Sequence, residues 1–234
     1  MKSTIQDKAK LVNSVFSEVY NKYDLMNDVM SLGIHRIWKD KFIDWMNPSR
    51  DSTLIDVASG TGDIAKLFSL RNKNSSTVTC VEPNEDMFRM GKKNLTNFKN
   101  IKWIRSRAET LPVEDNLYDF YSISYGIRNV SDINKTLKEA NRVLKPGGRF
   151  MCLEFSKIDN ELINFLYKNY SKAIPTLGKY IVGSSKPYEY LINSIDAFYN
   201  QEQLLELIAN NGFTNVEYRN LSNGISAIHS AWKI

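Results

Sequence analysis

The sequence predicts an α/β fold: a Rossmann-like, doubly wound, mainly parallel sheet of seven strands with an N-terminal helical extension and a helical lid insertion. Three observations lead there. Between residues 53 and 155, short apolar runs alternate with helix-period patterns, the signature of strands joined by crossover helices. The first run, Leu54-Ile-Asp-Val-Ala58, delivers Gly60-Thr61-Gly62 to the start of a helical pattern. A second apolar run ends on Glu82, twenty residues past Gly62, where an acid can accept hydrogen bonds from a ribose.

The elements follow in order. Residues 7–24 carry Leu11, Val12, Val15, Phe16, Val19, Tyr20 and Tyr23 at one-faced helical spacing. Residues 36–46 repeat that pattern with Ile37, Trp38, Phe42, Ile43, Trp45 and Met46. Strand 53–58, helix 62–71, strand 77–82, helix 85–96, strand 101–105, strand 118–124, helix 132–144 and strand 148–155 come next. Helix 132–144 puts Ile133, Leu137, Ala140 and Leu144 on one face and stops at Pro146-Gly147-Gly148. The rhythm breaks over 160–200, an aromatic, helical stretch interrupted by Pro175, Gly178, Gly183 and Pro187. An insertion there lies beyond the carboxyl ends of the strands, where open α/β sheets bind ligands, so it reads as a lid. Helix 201–210 stops at Asn211-Gly212, and strands 214–220 and 225–232 close the sheet through a Ser222-Asn-Gly224 hairpin turn. One domain, 1–234, results: a helical extension (1–50), a cofactor-binding half (51–156), a lid (157–200) and a closing helix with two strands (201–234).

Composition narrows the classes. At 234 residues with 42% hydrophobic content, the chain can bury a sizeable core. The formal charge of +5 is modest and scattered, so nucleic acid is not indicated, whereas an anionic membrane surface suits it. Cys80 and Cys152 both fall in strand-like runs and read as buried thiols; no disulfide framework or metal-ligand spacing is present. With no signal segment and no apolar run near eighteen residues, the expected location is cytoplasmic, peripherally membrane-associated.

The glycine loop decides the chemistry. Gly60-Thr-Gly62-Asp-Ile-Ala65 also fits a dinucleotide fingerprint, which seats a pyrophosphate on bare N–H groups at a helix N-terminus. Asp63 stands at that spot with Asp56 close behind. Two carboxylates repel a pyrophosphate and attract the ammonium and sulfonium of S-adenosylmethionine; at 4 Å each charge pair is worth about 4 kcal/mol at an effective dielectric near 20. A bare helix cap explains an isolated Asp63, but not Asp56 and Glu82 at these spacings.

Other residues face the same edge. Ser124-Tyr125-Gly126 ends a strand, and it lacks the acid-or-Asn, double-proline, aromatic run usual in methyltransferases that modify planar amines. Gly126 permits close approach of a ligand, and Arg128 and Asn129 bring a cation and an amide. Arg128 reads either as a surface ion pair or as a stabiliser of a developing oxyanion. Of the two histidines, His35 beside Arg36 is the better candidate for substrate contact than His229. Tyr188 and Tyr190 suit an apolar pocket or the core. Methyl transfer needs no nucleophile or metal, only alignment of the attacking atom behind the methyl carbon.

At this point the chain resembles the ubiquinone/menaquinone biosynthesis C-methyltransferase family, nearly end to end. The resemblance rests on Val15-Phe-x-x-Val-x-x-x-Tyr-Asp24, Met26-Asn-Asp-x-Met-Ser-x-Gly-Ile-His-Arg-x-Trp-Lys39, the glycine loop, Ala108-Glu-x-Leu-Pro112, Tyr125-Gly-Ile-Arg-Asn-Val130, Arg142-Val-Leu-Lys-Pro-Gly-Gly-Arg149 and Leu153-Glu-Phe-Ser156. It implies S-adenosyl-L-methionine as cofactor, with Thr61, Glu82, Arg107, Ala108 and Ser124 as contacts, beside Asp56, Gly60, Gly62 and Asp63 already read from the loop. Glu82 stands for the usual Asp, Ser59 for a common Gly, and Arg107 where Asn or Asp is frequent. The substrate implied is a polyprenylated quinol, a methoxy-polyprenyl-benzoquinol or demethylmenaquinol, methylated on a ring carbon. Arg128 would then stabilise the phenolate, with Asn129 beside it and His35, Asp24 or Asp28 accepting the proton. A long prenyl tail brings in the membrane surface, reached through the N-terminal helix or the 160–190 cover, and a quinone-biosynthesis complex or a homodimer as partners. Another small-molecule methyltransferase, a dinucleotide oxidoreductase and a non-catalytic cofactor-binding scaffold are the competing readings.

Overall fold

The computed structural model describes residues 2–20, 23–158, 161, 167, 170 and 185–234. The strands are β1 (Thr53–Val57), β2 (Thr77–Val81), β3 (Ile101–Ile104), β4 (Tyr118–Ser124), β5 (Leu144–Phe155), β6 (Thr214–Leu221) and β7 (Ser226–Trp232). They form one seven-stranded sheet in the order β3-β2-β1-β4-β5-β7-β6. The first five pair in parallel, while β7 runs antiparallel to both β5 and β6. The helices are α1 (Lys2–Val19), α2 (Tyr23–Ser31), α3 (His35–Met46), α4 (Asp63–Arg71), α5 (Glu85–Asn94), α6 (Ile133–Val143), α7 (Lys186–Asp196) and α8 (Gln201–Ala209).

Strand order reverses between β1 and β4, and that switch point opens a crevice at the carboxyl ends of both strands. The inner strands are buried on both faces, their alternating side chains meeting helices on each side. Leu54 and Val78 face α3 and α4, meeting Phe42, Ile43, Met46 and Phe68, while Ile55 and Val57 face the opposite way toward Leu137, Val143, Leu204 and Ile208. Phe42, Phe68 and Phe150 are fully buried, each worth about 1.5–3 kcal/mol. Helix starts follow side-chain chemistry: Asn84 caps α5, Asp132 caps α6, and Asn200 with Gln203 forms a capping box on α8.

Two local differences from the sequence reading stand out, in the first helix and in the strand at 148–155. The predicted helix 7–24 ends at Val19, and a separate helix, α2, begins at Tyr23. Strand 148–155 starts earlier: Leu144 already pairs with Tyr118, and Lys145–Gly148 loops out as an irregularity before Arg149 meets Phe120. Gly147 holds that loop with φ 79°, its N–H donating to the Lys233 carbonyl at 2.8 Å. The hairpin expected at Ser222–Gly224 is present, closed by the Leu221 and Ser226 pair, and its 3₁₀ turn holds Ser222, Asn223 and Gly224 at positive φ. The predicted lid lies largely outside the described residues; its described part, α7, packs against α1 and the 3₁₀ turn Ile127–Asn129.

Candidate functional site

The site grows from the two strand ends at the switch point. After β1, Ala58 takes a left-handed backbone (φ 54°), and Tyr125 does the same after β4 (φ 55°). Non-glycine residues in that region each cost of order 1–3 kcal/mol, and such strain concentrates at ligand sites. Here it swings both chains over the sheet edge. The two turns touch: a Cβ added to Gly126 would lie 2.6 Å from the Ala58 Cβ, so only glycine fits between them. The glycine loop closes with the Gly62 N–H on the Ser59 carbonyl at 2.9 Å, and Gly62 (φ 91°) turns the chain into α4.

Glu82 ends β2 and ties the loop to the sheet. Its two oxygens accept from the Gly60 and Asn84 backbone N–H groups, each at 2.9 Å. Burial pushes its pKa up to about 7 against those two bonds. Asp56 sits under the loop; one oxygen accepts from Ser122 Oγ at 2.6 Å and the other has no partner. Burial raises Asp56 to about 7 as well. Ser124 Oγ, nearby, is also buried and unpartnered.

Two cavities meet over these strand ends. The larger, about 180 Å³, is walled by Glu82, Pro83, Met87, Arg107 and Ala108, with Val12, Asn13 and Phe16 of α1 on another side. The smaller, about 30 Å³, is walled by Lys39, Asp56, Gly60, Thr61 and Asp63. Ala58, Gly60, Ser124 and Tyr125 line both. A large apolar lobe with an acid at its rim suits a nucleoside. A small polar lobe with charged walls suits the amino-acid end of S-adenosylmethionine. The unpartnered Asp56 and Ser124 oxygens await donors and acceptors there.

Of the nine residues expected at the cofactor, eight line these two cavities; Gly62 lines neither and instead turns the chain into α4. Two things escaped the sequence reading. Helix α1 walls the nucleoside lobe with the same apolar stripe, Val12 and Phe16, that reads as a candidate membrane face. Its Lys8 Nζ also donates to the Arg128 and Val130 carbonyls, at 3.1 and 2.8 Å, clamping the neighbouring turn. The acidic cradle is also not bare: Lys39, from α3, holds Asp63 at 2.6 Å. The helical period of 35–46 places Lys39 one turn after His35, but nothing in the chain says that α3 lies over α4.

The residues expected at the substrate are arranged differently from one another. Asn129 lines the larger cavity and its Oδ1 accepts from the Tyr190 hydroxyl of α7 at 2.9 Å. Arg128 lies just behind, lining neither cavity. Its Nη1 donates to Glu154 at 2.5 Å and to the Tyr125 carbonyl at 2.7 Å, its Nε donates to Ser194 Oγ at 3.3 Å, and the guanidinium packs over Phe155. Of the two readings of Arg128, an ion pair is present, but it is buried rather than on the surface. Burial pushes the Glu154 carboxyl up, against the attraction of Arg128. His35 lines neither cavity; its Nε2 meets Asp28 at 2.9 Å, and burial lowers its pKa. Three bonds from Arg36 and the one from His35 hold Asp28 below the usual carboxylate range. The Asp24 side chain lies outside the described residues. His229 is a core residue facing the Gln201 carbonyl, held neutral by burial with a pKa of about 4. Tyr188 is wholly buried in the core.

A seven-stranded sheet with this switch point, glycine loop and acid after β2 is the fold of S-adenosylmethionine-dependent methyltransferases. A solved S-adenosylmethionine-dependent methyltransferase of Thermotoga maritima, described as a possible histamine N-methyltransferase, superposes with a TM-score of 0.67 at 20% identity, covering 95% of this chain and 100% of that one. The same fold also carries the [4+2]-cyclase SpnF, at a TM-score of 0.62 and 17% identity over 83% of this chain and 80% of that one, so architecture alone does not define a reaction. Sequence relationship goes further. The model of the ubiE/COQ5 methyltransferase family matches residues 2–233, and the chain belongs to that family. The ubiquinone/menaquinone biosynthesis C-methyltransferase UbiE of Rickettsia bellii is 50% identical over 97% of this chain and 94% of its own length.

Proposed function

We propose that the protein is an S-adenosylmethionine-dependent C-methyltransferase of ubiquinone/menaquinone biosynthesis, acting on a ring carbon of a polyprenylated quinol. What supports this reading most is the 50% identity to a quinone-biosynthesis C-methyltransferase over nearly the full length of both chains. The site agrees with it chemically: an acid for a ribose, an apolar nucleoside lobe and a charged lobe for an amino-acid end.

Bound S-adenosylmethionine supplies an electrophilic methyl group on a sulfonium. The chain supplies position and charge. Glu82 receives the ribose hydroxyls, Arg107 and Ala108 flank the adenine with Met87, and Thr61 and Ser124 border the junction of the two lobes. Orientation of this kind contributes up to about 7–11 kcal/mol to an in-line displacement. A quinol carbon becomes a strong nucleophile when a neighbouring hydroxyl loses its proton. Asn129, on the cavity wall, supplies a donor to the phenolate, and Arg128, fixed by Glu154 just behind it, holds that turn in place. An arginine is no base, so Arg128 does not take the proton. Incubation with methyl-labelled S-adenosylmethionine and a short-chain demethyl-quinol tests the reading. Label on the ring carbon is expected. Calorimetric binding of S-adenosylhomocysteine without any label transfer would favour the scaffold reading, and binding of NAD alone the oxidoreductase reading.

The prenyl tail places the work at a membrane surface, since it prefers bilayer over water by about 0.8 kcal/mol per methylene. Leu25, Leu32, Ile34 and Ile37, all exposed on α2, α3 and the turn between them, suit that contact better than α1, whose apolar stripe already walls the cofactor cavity. No helix among the described residues is long and apolar enough to cross a membrane. The protein is expected to float with anionic vesicles at low salt, and Leu32→Ser/Ile37→Ser to float less. Absence of flotation by the unaltered protein would remove direct membrane contact from the proposal.

A further inference from the structure

The smaller lobe holds a feature that an acid-lined cation site does not require. Lys39 is buried, with its ammonium 2.6 Å from Asp63 Oδ2, and both side chains line the cavity. A buried ion pair gives little net stability, because desolvation of the two charges offsets their attraction. Burial raises the Asp63 carboxyl, and Lys39, with His35 and Arg36 adding to it, more than reverses that, so Asp63 is held below the usual carboxylate range. The backbone that carries the lysine is fixed in place, because its helix neighbours Trp38, Phe42 and Ile43 are buried in the core.

A cation and an anion side by side on one wall complement a zwitterion. An α-amino acid carries an ammonium and a carboxylate on one carbon, and a lobe of acids alone would leave that carboxylate buried without a partner, at a cost of several kcal/mol. The lobe has acids in excess: Asp63, paired, and Asp56, whose second oxygen is unpartnered on the same wall. We propose that Lys39 binds the carboxylate of the donor's amino-acid end, parting from Asp63, which then accepts the ammonium. The N-terminal helical extension thereby becomes part of the cofactor site, and a donor lacking the carboxylate is disfavoured. This inference rests on the S-adenosylmethionine reading above.

Calorimetric affinities of the full chain for two probes test it: S-adenosylmethionine and its decarboxylated analogue, which keeps the amine and the sulfonium. Lys39→Met is expected to weaken S-adenosylmethionine about 10- to 100-fold, the range of a lost charged hydrogen bond, and to leave the analogue within about twofold or tighter. Lys39→Arg keeps the charge and is expected to restore most of the preference for the carboxylate. Thermal unfolding of both variants checks that they fold, and if Lys39→Met does not, the ratio of the two affinities in Lys39→Arg and Lys39→Gln decides. Equal weakening of both probes, or no change in either, overturns the proposal while leaving the donor reading intact. An unaltered protein that binds neither probe overturns both.

Discussion

Replacing Arg128 by alanine separates what the buried pair does for the fold from what it does for the reaction. The change deletes the Nη1 bonds to Glu154 and Tyr125, the Nε bond to Ser194 and the packing over Phe155. It also leaves Glu154, 1% exposed, without its counter-charge. Breaking such a pair by removing one partner costs about 3–5 kcal/mol. Two backbone bonds to Glu154 survive, from the Phe155 N–H at 2.9 Å and the Arg128 N–H at 3.4 Å, which points to the lower end, near 3 kcal/mol. Urea unfolding of the cofactor-free protein measures that loss. Turnover is expected to fall by far more than the affinity for S-adenosylhomocysteine, since Arg128 lines neither cofactor cavity. Arg128→Met/Glu154→Gln removes both charges and is expected to recover most of the stability but not the turnover. A loss below about 1 kcal/mol in Arg128→Ala would refute the buried-pair energetics. Full turnover in the double variant would remove Arg128 from the chemistry.

Two further outcomes follow from the strand ends. Gly126→Ala drives a Cβ to 2.6 Å from the Ala58 Cβ between two strained turns; a destabilisation of about 1–3 kcal/mol with weakened S-adenosylhomocysteine binding is expected from urea unfolding and calorimetry. Asp56 is raised to about 7 when folded, so the native state holds a proton that the unfolded chain releases near pH 4, and this group makes the protein less stable as pH rises from about 4 to 7. Relative to Asp56→Asn, the unaltered protein is therefore expected to lose up to about 1.4 kcal/mol per pH unit across that window and nothing further above it. Comparing the two proteins cancels the opposite contributions of His35 and His229, whose pKa values are lowered; a pH-independent difference would contradict the burial of Asp56.

Much of this protein was readable along the chain because its informative features are local. Period and punctuation locate the strands and most helices: Gly62 can take φ 91° at no steric cost, and Asn84, Asp132 and Asn200 each cap the helix that they precede. The residues proposed to hold the cofactor are readable for the same reason, since each lies within a few residues of a strand end and strand ends meet at one edge. Boundaries were less legible where backbone pairing competes with local signals, as at Leu144, which leaves a helix to join Tyr118.

What the sequence determined by itself is the doubly wound sheet, its glycine loop and the acids around it, because hydrophobic period and glycine conformation act within a few residues. What only the tertiary structure decided is which distant charges meet. Lys39 reaches Asp63 across 24 positions, Glu154 reaches Arg128 across 26, and Lys8 reaches the carbonyls of residues 128 and 130 across more than 100. Those partners are set by how α1, α3 and β5 pack against the crevice. An electrostatic environment depends on distance in space and on exclusion of water, and neither is written in the order of residues.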